Sequence, residues 1–269
     1  MRLSPRARRR LAAGTMVGAM AVAVPGVAVA ATGSSSPSGS TGTGSTTGAG
    51  DTTRHPGPVA GCTTSTFSTA QSALESALTG RTTLLGTLQT RVSGAKDLPS
   101  ATAAALGAIL HAEQDTINGS GLAGLLTTAQ GATTCAQLVA TARTMVTGFR
   151  VYALVAPQVR LTVGASRATA LLAKATAVEP KIQAHITKAA GTGKNVSGAQ
   201  QAFSDLQAQI ATATTDVAAV PVAQILAQVP SDYPADQSML STARTALANA
   251  VQAGRAARTD IQTIRQDLR

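Results

Sequence analysis

Arg160, Arg167, Lys174, Lys181 and Lys188 recur at intervals of seven residues, a spacing that sets side chains along one flank of a helix. A row of cations so placed can dock a polyanion: wall polymer, acidic lipid head groups or nucleic acid. Each cation also stands one place before a seam residue (Leu161, Ala168, Ala175, Ile182, Ala189). The row can therefore serve the fold alone, its stems covering the seam and its heads wet or paired across helices. Asp260 and Asp267, themselves seven apart, are the expected partners in that case. Nucleic acid is not expected, because the few aromatic residues are not interleaved with the cations as stacking platforms would be.

Other constellations that carry chemistry are incomplete. His111 and Asp115 are four apart and fit one helix face, but Glu113 falls on another face and no third ligand is near. His55 and His185 stand by themselves. There is neither HExxH nor GxSxG. Gly191-Thr192-Gly193-Lys194 resembles a phosphate loop only in part, with Lys188 where the first glycine belongs and Asn195 in place of Ser/Thr. Asn118-Gly119-Ser120 and Asn195-Val196-Ser197 fit the glycosylation pattern, which is common by chance. The sequence therefore predicts a non-enzymatic protein with no cofactor and no metal.

The elements that hold these residues begin with what resembles an export leader. Residues 1–30 read as a secretory signal peptide: Arg2, Arg6, Arg8, Arg9 and Arg10, an apolar run Leu11–Val29, and Ala28-Val29-Ala30 as the A-x-A site. Arg8-Arg9 also fits a twin-arginine signal in part, and an uncleaved N-terminal anchor is the alternative. Residues 31–58 are a Ser/Thr/Gly tract with scattered Pro, which buries too little to fold and reads as a flexible linker reaching about 25–30 Å. No second apolar run is expected to span a bilayer, because Arg150 and Arg160 bracket the most apolar one. The formal charge of +10 falls to +5 once the leader's five arginines are set aside. Eleven cations face seven acids in 157–269, against five and four in 59–156. The basic excess is local to the second half.

Beyond residue 59 the chain is Ala-, Val- and Leu-rich with 2% aromatic residues and no Trp, a composition for slim, closely packed helices. Apolar residues recur at threes and fours in six segments of similar length. One of them is weakened or turned at Asn118–Gly121. Ser100, and Thr133 or Thr134, read as N-caps. These segments predict an all-α fold of two tandem antiparallel three-helix bundles, 59–156 and 157–269. They would share a central helix kinked at Pro157, in an arrangement similar to spectrin-like arrays, and Pro180 should kink the helix beyond. A single long bundle is the alternative. Cys62 precedes the first helix and Cys135 opens the third, so an up-down-up path brings both to one end and predicts a Cys62–Cys135 disulfide.

Met145–Ser166 (MVTGFRVYALVAPQVRLTVGAS) then becomes the junction, with Phe149 and Tyr152 as core there. Together with the preceding TTCAQLVATARTMV, this stretch resembles segments of uncharacterised exported all-helical proteins of high-GC Gram-positive bacteria, over about residues 134–170. The resemblance implies a helical fold and an envelope setting, and no activity, ligand or site residue. The expected role is that of a secreted, envelope-associated structural or interaction module, alternatively a binder of anionic polymer or membrane surface through the basic row. The sequence names no protein partner.

Overall fold

Helical periodicity holds nearly throughout the computed structural model, which describes Val59 and residues 61–115 and 119–269. The leader and linker expected over 1–58 lie outside the described residues. The described residues belong to the unit Thr53–Arg269 and contain no strand. In chain order the helices are α1 (Phe67–Ser93), α2 (Ser100–Gln114), α3 (Leu122–Gln130), α4 (Cys135–Thr147), α5 (Ala156–Gly191), α6 (Ser197–Ala218), α7 (Val222–Ala227) and α8 (Gln237–Asp267). The expected second segment is thus two helices. Gly119 takes a positive φ of 66°, which glycine adopts without a Cβ penalty, and the chain turns there between α2 and α3. Ser100 is the first residue of α2 rather than its cap, a place held by Pro99. At α4 the expectation holds: the Gln137 amide donates to Thr134 Oγ1 (3.3 Å) while Gln137 Oε1 accepts from the Thr134 amide (3.1 Å), a reciprocal capping box.

The first core gathers Leu74, Leu78, Leu85 and Leu88 from α1, Leu106 and Leu110 from α2, Leu122 from α3, and Leu138 and Met145 from α4. Val151, Val155, Ala156 and Val159 enter the same core. Leu154, Leu161 and Ala165 turn to a second cluster with Val220, Ile225, Leu240 and Ala243. Farther along, Ile186, Phe203, Leu206, Ile210 and Ile264 are buried between α5, α6 and α8. Ala213 and Val217 meet Ala250 and Ala253, where small side chains let α6 and α8 approach closely.

The break near the middle of the chain lies at Gly148–Arg150, not at Pro157. Val151–Val155 form one turn of π-helix that runs directly into α5, and Pro157 is the second residue of α5. The wide turn, with the Ala156 amide bonded to Val151 O, removes the clash and the missing bond that Pro157 would impose inside regular helix. α5 also continues through Pro180. Two stretches, Cys135–Gly191 and Ser197–Ala227, are apolar and long enough to cross a membrane by length and composition, where none was expected. Leu154, Val155, Val159 and Leu161 of the first, and Phe203, Leu206, Ile210 and Val217 of the second, are buried in protein. Tyr152 is not core: it is 56% exposed, its ring 5.0 Å from the half-buried Arg81 guanidinium. Phe149 packs at the edge of the first core.

Two short helices end on glutamines donated by long ones. Gln71 Nε2 of α1 donates to Ala129 O (2.8 Å) and Gln130 O (3.1 Å) at the end of α3. Buried Gln158 Nε2 of α5 donates to Ile225 O (2.8 Å) and Gln228 O (3.0 Å) at the end of α7. The last carbonyls of a helix have no partner within it, and helices this short have little stability of their own.

The expected Cys62–Cys135 disulfide is present, with Cα atoms 5.7 Å apart across a sequence separation of 73, a distance that suits a disulfide. Replacing Gln158 by Ala should destabilise by about 1–2 kcal/mol, since the buried Gln228 O loses its donor and Ile225 O keeps only the Gln228 amide at 3.4 Å. A denaturation midpoint unchanged by that substitution would show that the ties do not hold α7. Changing Cys62 and Cys135 to Ser should cost up to about 4 kcal/mol in the chain-entropy account. Thiol labelling of the unfolded, unreduced chain should find no free sulfhydryl.

Candidate functional site: a basic face on α5 and α8

All five cations of the heptad row, Arg160, Arg167, Lys174, Lys181 and Lys188, are exposed on α5. From first to last they span 28 residues, about 42 Å of helix. Strict sevens drift by about 20° per heptad on a straight helix, so the row winds slowly around α5. Arg167 has a contact of its own within the chain. No carboxylate among the described residues pairs with Arg160, Lys174, Lys181 or Lys188.

The expected acidic partners lie elsewhere. Asp260 of α8 faces Asp205 of α6, and its carboxyl is pushed up first by burial and then by the Asp205 charge. The Asp267 carboxylate crowds Gly198 so closely that a Cβ there would overlap it. It thus sits in the first turn of α6, where a negative charge is favoured by the helix dipole. Glu179 accepts from Gln207 Nε2 of α6 at 3.3 Å. The acids of the last three long helices therefore sit toward or on α6, away from the cations of α5.

The sequence reading missed the cations of α8. Arg244, Arg255, Arg258 and Arg265 are all exposed. Arg244, Val251, Arg258 and Arg265 are themselves spaced by sevens, a signal that the valine interrupts. The side of α8 that meets α5 is marked by Leu247, whose Cδ1 lies 3.3 Å from where a Cβ of Gly164 would stand. Stepping by fours and threes from Leu247 gives Val251, Gly254, Arg258, Ile261 and Arg265 on one ridge. Stepping likewise from Gly164 gives Arg167, Leu171, Lys174, Val178, Lys181, His185 and Lys188. The cationic rows of the two helices thus flank the same seam.

Other candidate sites hold less. Lys194 of the phosphate-loop-like segment donates to Leu268 O (3.1 Å) and Arg269 O (3.0 Å), so its ammonium serves the chain terminus. The side chain of Asn195 accepts from the Ser197 amide and hydroxyl. His111 and His185 are exposed on different helices, and the Asp115 carboxylate accepts from the Ser120 hydroxyl. Among the described residues no group of three or more His, Cys, Asp or Glu converges as a metal site. A shallow groove between α5 and α6 is lined by Thr176, Glu179, Gln183, Gln200 and Gln207 over Phe203. It is open and presents no reactive pair.

Comparison of the chain with protein families, curated proteins and solved structures gives no match. The class that can be stated is thus that of the structure: an all-helical protein with a disulfide in its first half and a cationic face in its second.

One buried acid gives the protein a pH dependence independent of that face. Glu113, buried at the end of α2, is raised to about 7 by desolvation from an ordinary 4.5. Its folded-state value lies above its unfolded one, so stability is full below about pH 4.5 and is lost as the pH rises through about 7. Glu113→Gln should flatten that decline in denaturation midpoints taken between pH 4 and 8. An unchanged slope would place its origin elsewhere.

Proposed function

We propose that this chain is an exported, non-enzymatic helical module of the cell envelope, and that the basic face of α5 docks it on an anionic envelope component. In the same proposal its helices work as two bundles in tandem, 59–156 and 157–269, joined through Met145–Ser166. The observation that carries the docking role is the row Arg160–Lys188: exposed cations in register along one helix, with the nearby acids turned to α6. A positive field extended over that length concentrates anions near it. The leader-like residues 1–30 and the linker-like 31–58 support export and a tether, with a retained N-terminal anchor as the other form of attachment. The disulfide fits an oxidising compartment, and the segment resemblance over 134–170 agrees with an envelope setting.

Purified protein incubated with cell walls or anionic vesicles should be retained at low salt and released as NaCl is raised, because exposed charges are screened. Lys174→Glu, Lys181→Glu and Lys188→Glu together should abolish retention while leaving the circular dichroism spectrum intact. Retention unchanged by the triple substitution would overturn the docking role and leave the module to act through another surface.

A further inference from the structure

Resting on that reading, we infer that α5 and α8 form the two walls of one cationic furrow, and that its occupant is a linear polyanion lying lengthwise along it. The two helices run in the same direction. Gly164 meets Leu247 near the start of both, and Lys194, just beyond α5, is bonded to the carbonyls at the end of α8. Their facing ridges therefore lie side by side over most of the length of each. One wall carries Arg167, Lys174, Lys181 and Lys188; the other carries Arg258 and Arg265, with Arg244 at its near end.

On both ridges apolar residues alternate with the cations, and the α5 ridge also carries the exposed His185. Leu171 and Leu247 are half-buried, while Val178 and Val251 remain 37% and 38% exposed on the two ridges. No acid stands on either ridge. Cations alternating with apolar side chains on two facing ridges suit a flexible chain of repeating anionic groups, whose uncharged backbone can rest on the apolar residues while its charges reach both ridges. A phosphodiester polymer of polyol units has that chemistry.

A bilayer surface fits less well. Helices that lie on membranes bury bulky Trp, Phe or Leu beneath their cations, whereas α5 and α8 contain no Trp, Phe or Tyr and expose valines at this seam. That same lack leaves only His185 on these ridges as a stacking platform for a single-stranded nucleic acid. Arg143, exposed on α4, lies outside the furrow and serves as a control.

The test uses the full mature chain and long-chain inorganic polyphosphate as the probe, with affinity measured by fluorescence anisotropy over a range of NaCl. Two wall variants, Lys174→Gln/Lys181→Gln on α5 and Arg258→Gln/Arg265→Gln on α8, should each weaken binding by about tenfold or more. Each should also lower the slope of log affinity against log salt, by roughly 0.7–0.9 for every phosphate no longer neutralised if the polymer behaves as nucleic acids do. Arg143→Gln should change neither, and pyrophosphate should bind far more weakly than the polymer. Neutral Gln keeps the helices intact, which thermal melts verify. A loss confined to the α5 variant would overturn the furrow but leave the basic face as the docking surface. Loss in neither variant would overturn both readings. Anionic vesicles that bind as tightly as polyphosphate at equal charge concentration, insensitive to Arg258→Gln/Arg265→Gln, would overturn the lengthwise polymer.

Discussion

The structure depends on the burial of one segment from two sides. Between Val151 and Ala165 the chain gives Val151, Val155 and Val159 to the first core and Leu154, Leu161 and Ala165 to the second. A regular helix cannot carry Pro157 in its interior without losing a bond and meeting the ring's clash. The π turn at Val151–Val155 absorbs both, and α5 starts with the proline already accommodated. Polar side chains of the same segment reach outward to fix later parts of the chain. Gln158 ends α7, and Arg150 Nε donates to Pro230 O at 3.0 Å with its guanidinium 4.5 Å over the Tyr233 ring. Arg150 is thereby committed to the turn before α8, although its charge alone would have grouped it with Arg160.

Small side chains shape the surface as much as the core. Threonines on the helices spend their hydroxyls on the carbonyl four residues back, as at Thr82, Thr87, Thr144, Thr215 and Thr245, a local bond that satisfies the side chain within its own helix. A face rich in such residues is polar yet nearly uncharged. With charged residues at 13% of the chain, a row of lysines and arginines stands on a neutral background.

Sequence periodicity exposed the elements well, because each long helix repeats its apolar positions over several turns. The Cys62–Cys135 pairing was legible from the path of the chain, and the Thr134–Gln137 cap from local chemistry. What remained hidden depended on partners far along the chain. Nothing local distinguishes Pro157 after a π turn from Pro157 at a kink. Tyr152 sits in an apolar run, yet its ring turns outward because Arg81 and Gly80 on α1 receive it there. Residues Asn118–Gly121 read equally as weakened helix or turn until Gly119 is seen at a positive φ ahead of α3. The row on α5 was visible as an unbroken run of sevens; its counterpart on α8 was masked by Val251.

The charge distribution of the second half is uneven. Covering a seam with long aliphatic stems would be served as well by alternating lysine and glutamate, which would add attraction between neighbours in place of repulsion. Instead the ridges of α5 and α8 that flank their common seam carry cations and no acid, while Glu179, Asp205, Asp260 and Asp267 are placed toward or on α6. Like charges held along one face repel and take stability from the fold. Asp260 shows that the chain tolerates even a crowded, partly desolvated acid beside Asp205, with cations available on the opposite side of the same helix. An arrangement that forgoes attraction on one side and accepts carboxylate crowding on the other is costly twice over. A ligand of negative charge drawn to the α5–α8 face would offset the first of those costs by relieving the repulsion among the cations.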